Sequence, residues 1–482
     1  MNKSFEVLPK EQRKKILLIC DDIRVHSGVA TVAKEIVIQT AHHFNWVQIA
    51  GAIEHPDSGK RLDLSPDTQK ISGVEDASVT LYPTNGYGNN KFLRQVINVE
   101  KPDALFLVTD PRYFSWLFNM EHEIRRSIPI CYLNIWDDYP APMYNRPYYE
   151  ACDLLMGISK QTVNINRLVL DEKADSKLLK YVPHGLNPEV YFPITEESDA
   201  FKNYSDYKTS LFNGKEPEFV VFFNSRNIRR KQISDSMMAF RGFLDSLPYE
   251  KAKKCYFVLH TELVTDAGTD LDRVNEYIFG EKYEEQIKFS LSKISTQELN
   301  YLYNIADVQI LLTSNEGWGL SVTEAILSGT PVIANVTGGM QDQMRFTDNE
   351  GKWFTPSPDI PSNHRGTFKE HGEWAFPVYP TSRSIQGSPP TPYIYDDRCR
   401  WEDAMERLIE VYNLDPEDRK QRGLKGREWA ISDEAGFTSK HQAKRVINAI
   451  DELFETWKPR EKYELINANE YNGRFLNHKI IY

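Results

Sequence analysis

Two glutamates and the glycines between them offer the most chemistry in this chain. Residues 313–340 read TSNEGWGLSVTEAILSGTPVIANVTGGM. The apolar run at 308–314 has the make-up of a buried strand and ends in a polar turn holding Glu316. Gly317-Trp318-Gly319 follow, then a helical stretch that carries Glu324 eight positions after the first acid. A second apolar run at 331–336 ends at Gly338-Gly339. In an α/β sheet, ligands sit outside the carboxyl ends of the strands, where helix N-termini turn free N–H groups toward anions. Glu316, at a strand exit, is placed to face the reacting end of a ligand. Glu324, two helical turns on, can reach another polar part of the same ligand. The plain alternative is a strand–helix–strand crossover with two solvated acids. Further candidates stand at other strand exits: Asp21, Asp22, His26 and Gly28; Asp110 and Arg112; Asp137 and Asp138; Arg226 and Lys231, with Arg229 and Arg230 between them.

The elements that must position these groups follow from apolar periodicity. In the first half, strand-like runs lie at 16–20, 46–53, 104–109, 128–136, 154–159 and 178–185. A polar, helix-poor linker at 195–218 follows, and the runs resume at 219–225, 255–261, 287–291, 308–314 and 331–336. Their alternation with helical stretches predicts parallel α/β layers. Two Rossmann-like units facing across a cleft are expected, at 1–194 and 219–434. The stretch 355–398 is rich in Pro, Ser and Gly and carries Trp374, Phe376 and Tyr379, which predicts a long functional loop insertion without regular structure. Helices are expected at 401–412, 416–431 and 435–457.

Composition sets the broad class. The chain has 482 residues, 40% hydrophobic and 26% charged, which suits two large α/β domains. The net charge of −11 argues against a protein that coats nucleic acid over its whole surface, though it leaves room for one basic groove. Five scattered cysteines form no CxxC or zinc spacing, and Cys20 and Cys131 fall in core-like strands as free thiols. The polar start MNKSFEVLPKEQRKK lacks the features of a secretory signal, and no run approaches a membrane span, so a cytoplasmic protein without stable membrane association is expected. Arg13-Lys14-Lys15 is either a contact for anionic lipid or a solvated lead-in to the first strand. The adjacent pairs Asp21-Asp22, Asp137-Asp138 and Asp396-Asp397 read as loop or cap residues, and no metal is expected.

The segment from Glu316 to Glu324, with its G-x-G, the Ser328-Gly329-Thr330-Pro331 corner and the later double glycine, resembles the E-x7-E signature of retaining glycosyltransferases of family 4, which have the GT-B fold. Arg226 and Lys231 resemble the R-x4-K pair of that family. The resemblance implies that these two cations grip the diphosphate of a nucleotide-sugar donor. Fixed cations stabilise the charge that grows on the leaving group without help from a metal. It further implies that Glu316 lies near the transferred sugar, Glu324 accepts hydrogen bonds from the ribose hydroxyls, and backbone N–H groups of Gly317, Trp318, Gly319 and Leu320 approach sugar or phosphate. The Trp318 side chain stands where the family often has Phe, and its expected role is packing. Arg229 and Arg230 are read as additional positives or solvated helix-start residues.

In the first domain the match is partial. Ser27-Gly28 replaces the usual glycine pair of a loop near donor or acceptor, and His26 is either part of the site or a loop hydrogen-bonder. Where many relatives present a histidine, this chain has Asp137 and Asp138. A carboxylate such as Asp137 can orient an acceptor hydroxyl or take its proton, while Asp138 can cap a turn. The segment VPHGLNPEVYFP resembles the family's interdomain connection, with His184-Gly185 as hinge and cleft wall. The resemblance also implies that the last helix, within 435–482, crosses back to the first domain together with the tail.

No cofactor is expected beyond a nucleotide-sugar co-substrate, taken to be a UDP-sugar. For the acceptor, the opening KILLICDDIRVHSGVATVAKEIV and the block NIWDDYPAPMYNRPYYEACD resemble glycosyltransferases of T-even-like tailed phages. That implies 5-hydroxymethylcytosine in DNA as the acceptor, with the basic and aromatic residues His364, Arg365, Lys369 and Trp374 to Tyr379 lining an entrance for a flipped base. Alternatives are a glycan, lipid or small-molecule acceptor, a GT-B-fold sugar-nucleotide epimerase, and a binding protein that keeps only the donor pocket.

Overall fold

The structure is a computed structural model and describes residues 7–461. The strands are β1 (Lys14–Asp21), β2 (Phe44–Gly51), β3 (Leu62–Asp63), β4 (Val79–Pro83), β5 (Ala104–Val108), β6 (Ile130–Asn134), β7 (Leu154–Gly157) and β8 (Leu178–Tyr181) in the first sheet. Their spatial order is β3-β4-β2-β1-β5-β6-β7-β8, and every pairing but β3 with β4 is parallel. The second sheet holds β9 (Phe219–Asn224), β10 (Cys255–His260), β11 (Ile287–Ser290), β12 (Val308–Leu311), β13 (Val332–Asn335) and β14 (Ala375–Val378), ordered β11-β10-β9-β12-β13-β14 and all parallel. Parallel sheets are covered by helices on both faces, so their strands can be apolar without alternation. In β1, Ile16, Leu18 and Cys20 point into one buried cluster, and Leu17 and Ile19 into another. The first cluster continues into the second domain through residues such as Phe222, Ile310 and Trp318.

Three regions differ from the sequence-based expectation. The stretch 195–218 is not helix-poor: Phe201–Leu211 forms a helix. It has no side-chain cap and no fully buried residue, and Tyr204 and Tyr207 hold it by packing on Tyr301. The stretch 355–398 is not a structureless insertion. It supplies β14, the edge strand of the second sheet, and an antiparallel hairpin of β15 (Ser382–Ser388) and β16 (Thr391–Arg398). The hairpin straps the two domains together. On the first domain, Tyr395 N–H donates to the Tyr139 carbonyl at 2.7 Å and the Tyr144 hydroxyl to the Tyr393 carbonyl at 2.8 Å. On the second, Asp397 N–H donates to the Ser314 carbonyl at 2.9 Å. Finally, β3 and β4 extend the first sheet beyond the expected strands.

The helix Ser439–Thr456 returns to the first domain, where it packs on the helix Gly28–Thr40. His43 Nε2 meets Asp451 at 3.0 Å and Lys180 meets Glu452 at 2.6 Å. The part of the expected tail contact that involves residues 462–482 lies outside the described residues. All five cysteines are buried and free. Among the described residues no helix is long and apolar enough to cross a membrane.

Candidate functional site

A cavity of about 840 Å3 opens between the carboxyl ends of the two sheets, within the range usual for small-molecule sites. From the first domain it is lined by Asp21, Ser27, Gly28, Asp137 and His184, and from the second by Arg226, Arg230, Lys231, the residues 316–321 and Glu324. The exits of β10 and β11 add Thr261, Glu262 and residues 290–293.

The Glu316 loop owes its shape to glycine. Gly338 has φ +53°, and a Cβ there would lie 1.6 Å from the Glu316 carbonyl oxygen. That oxygen accepts the Gly339 N–H at 3.2 Å. Gly317 meets the first domain: a Cβ on it would come within 2.9 Å of the Ile135 carbonyl and 3.3 Å of Asp137. Trp318 is 2% exposed; its indole N–H donates to Thr323 at 2.9 Å and its ring packs on Phe437. Its side chain is therefore a support on the cavity's wall.

The electrostatic centre is Glu316. Its Oε2 accepts from Lys231 Nζ and, at 3.0 Å, from Arg230 Nη1. Burial pushes this carboxyl up, but the charges and hydrogen bonds of Lys231 and Arg230 outweigh it and hold the group down at about 2. Arg230 is thus no solvated helix-start residue. It is fixed by bonds to the Asn315 carbonyl at 2.8 Å and from Ser314 N–H to its own carbonyl at 2.8 Å. Its Nε lies 3.9 Å from Asp137 of the other domain. Asp137 faces the cavity, and its enclosure raises its pKa while Arg230 works against the rise. Arg226, in contrast, points outward with 79% of its side chain exposed, and among the described residues its ion-pair partner is Glu262 at 4.0 Å. Arg229 is paired with Asp396 at 3.0 Å, away from Glu316.

Glu324 sits deeper. Three donors converge on it: Tyr303 at 2.6 Å, Asn224 at 3.1 Å and Tyr191 at 3.1 Å. Burial raises its pKa against these bonds. Three donors leave part of the capacity of a carboxylate, about four acceptor sites, for ligand hydroxyls.

In the first domain, Ser27 caps the helix Gly28–Thr40 by accepting Ala30 N–H at 3.0 Å and donates to Asp21 at 2.6 Å. Gly28 lines the cavity, but His26 is exposed and does not reach its wall. His184 lines the cavity, and burial lowers it to about 4, so it is neutral at pH 7. Gly185 is required because a Cβ would meet the Thr438 carbonyl at 2.1 Å. Asp110 and Arg112 pair with each other, and Arg112 also donates to Thr391 of the hairpin. Asp138 is fully buried and bonded to Tyr139 N–H at 2.8 Å and Asn363 at 3.0 Å, a turn-capping and domain-joining role.

The entrance expected at 364–379 does not form. His364 is buried among Phe346, Phe354 and Phe368, and desolvation lowers it to about 3. Arg365 lies 3.5 Å from Asp397, Lys369 stands over the Tyr379 ring at 3.8 Å, and Trp374 and Phe376 are core residues.

Residues 210–362 match the family described as glycosyl transferases group 1. Over 193 residues, 40% of the chain, it is 24% identical to the mannosylfructose-phosphate synthase of Agrobacterium fabrum, and covers 39% of that protein's length. Over 341 residues, 64% of the chain, it is 21% identical to an uncharacterized glycosyltransferase of Methanocaldococcus jannaschii, of which it covers 83%. Among solved structures, Anabaena HepE in complex with UDP and glucose superposes with a TM-score of 0.61 at 12% identity, covering 92% of this chain and 100% of that one. The fold is GT-B. The family match over 210–362 and these relatives show similarity to glycosyltransferases.

Proposed function

We propose that this chain transfers a sugar from a nucleotide-sugar donor, a UDP-sugar, to an acceptor hydroxyl with retention at the anomeric carbon and without a metal. The observation that carries the reading is the arrangement at the second domain's strand ends. Glu316 is held ionised by Lys231 and Arg230, exposed Arg226 stands at the rim, and Glu324 lies one helix farther in. Arg226 and Lys231 would take the diphosphate, Glu324 the ribose hydroxyls, and the backbone of residues 317–320 the sugar and phosphate. The bond from the anomeric carbon to the diphosphate breaks as the acceptor oxygen attacks on the same face. The departing phosphate oxygen receives the acceptor's proton. Asp137 would orient that hydroxyl. UDP as the nucleotide is supported by the ligand of the Anabaena HepE structure.

For the acceptor we propose the hydroxymethyl group of 5-hydroxymethylcytosine in DNA, supported by the two phage-like blocks at 15–37 and 134–153. Without the 364–379 entrance, this acceptor rests on that resemblance. A sugar-phosphate acceptor is the second reading, suggested by the name of the Agrobacterium relative. The test supplies UDP-sugars together with hydroxymethylated DNA, unmodified DNA and a panel of sugar phosphates, and weighs the products. A hexose-sized mass gain on the modified nucleoside alone supports the DNA reading. Gain on a sugar phosphate alone replaces it with the second, and a free isomerised nucleotide sugar would mean an epimerase.

A further inference from the structure

Two neighbouring cations, Arg230 and Lys231, bind the same oxygen of Glu316, and they are held in different ways. Lys231 reaches Glu316 with a flexible four-carbon stem, and its ammonium can turn to a second anion. Arg230 cannot turn so easily. Its guanidinium is tied to the Asn315 carbonyl at 2.8 Å, and its own carbonyl accepts Ser314 N–H at 2.8 Å and the Thr313 hydroxyl at 3.1 Å. Its Nε faces Asp137 across the cleft at 3.9 Å. A diphosphate entering between Arg226 and Lys231 would draw Lys231 away from Glu316. A buried carboxylate that loses its counter-ion takes up a proton, because desolvation alone raises its pKa by several units.

We propose that Arg230 is a positioning residue of the site: it keeps Glu316 a fixed carboxylate while Lys231 is spent on the donor's diphosphate, and its far edge aligns Asp137 from the other domain. This rests on the donor reading above. Arg230 then acts through Glu316 and Asp137 and makes no bond to phosphate. The planar fork of arginine suits such a shared, fixed contact better than lysine.

The test uses the full-length chain, with UDP, ADP and GDP as probes. Calorimetry at pH 7 in two buffers of different ionisation enthalpy counts protons taken up on binding. Arg230→Gln should bind the diphosphate within about threefold of wild type yet take up a substantial fraction of a proton more, because Glu316 protonates when Lys231 leaves it. On the sugar nucleotide that wild type consumes, kcat should fall about a hundredfold with donor KM nearly unchanged. The acid limb of the pH–rate profile should move upward, and Arg230→Lys should restore part of both. Equal proton counts in variant and wild type, or a loss expressed wholly in donor affinity, would overturn the proposal. If Arg230→Gln unfolds, Glu316→Gln is compared with the double variant, in which no carboxylate is left without its cation. Equal diphosphate binding by the two supports the proposal, and a further tenfold loss in the double variant overturns it. Failure of wild type to bind any of the three diphosphates would overturn the donor reading itself, and this inference with it.

Discussion

Replacing the two proposed phosphate cations one at a time should give equal losses of rate and unequal losses of stability. Lys231 is 10% exposed at its side chain and paired with Glu316, whereas the Arg226 side chain is 79% exposed. Glu316 is held at about 2 against an ordinary 4.5. At about 1.4 kcal/mol per pKa unit this is roughly 3 kcal/mol of stabilisation, shared between Lys231 and Arg230. Lys231→Ala should therefore cost on the order of 2 kcal/mol at pH 7, part of it offset because burial also disfavours the Lys231 ammonium, and Arg226→Ala much less, as for a surface change. Because the folded-state pKa of Glu316 is depressed, the Lys231 contribution is present above the unfolded value and fades as pH falls toward 2. The melting difference between wild type and Lys231→Ala should shrink accordingly in acid. Each variant should lose about 100- to 1,000-fold in turnover, the usual result of removing one preorganised charge stabiliser. Urea unfolding at pH 7 and pH 3, with turnover on the same preparations, measures all four quantities. Near-normal turnover in Arg226→Ala, or an equal stability loss in both variants, would rule out these roles for the two cations.

Other outcomes follow from single contacts. Gly338→Ala should abolish turnover while leaving most of the fold, because the added carbon collides with the Glu316 carbonyl; steady-state kinetics with circular dichroism checks this. Asp342 lies buried between Lys160 N–H at 2.9 Å and the Tyr181 hydroxyl at 3.0 Å, and burial raises it to about 6. A raised carboxyl stabilises the fold at low pH and loses that contribution as pH climbs through 6. Asp342→Asn should therefore raise stability at pH 7, by at most about 3 kcal/mol less the lost attraction to Lys160, and give little gain at pH 4; urea unfolding at the two pH values checks this. EDTA should leave the transfer rate unchanged, since protein cations hold the leaving group; loss of activity restored by magnesium or manganese would contradict this.

The sheets were legible because strands buried on both faces must be continuously apolar, and runs such as 219–225 and 308–314 have no other use. The hairpin and β14 were hidden by proline- and serine-rich sequence at 355–398. There, stability comes from contacts to distant backbone and from Asp397, which is fully buried against Arg383. The helix Phe201–Leu211 is hard to read for a similar reason: it has no side-chain cap, and its packing face of Phe201, Tyr204, Tyr207 and Leu211 is mostly tyrosine and phenylalanine in an otherwise polar stretch. At the site, Glu316 and Glu324 stood out through glycine spacing. Arg230 did not, because adjacent cations look alike until the backbone aims one at Glu316 and another, Arg229, at Asp396. The donors on Glu324 come from Tyr191, Asn224 and Tyr303, which only the fold brings together.

Glu316, Glu324, Arg226 and Lys231 together form the nucleotide-sugar site proposed for this chain. The most direct test is thermal unfolding of wild type and the Glu324→Ala variant against a panel of UDP-, GDP- and ADP-sugars, since a ligand bound only by the folded chain raises its melting temperature. A UDP-sugar should give a saturable rise in wild type and bind at least about tenfold more weakly to Glu324→Ala. No rise with any nucleotide sugar, or an equal rise in both proteins, would contradict this site assignment.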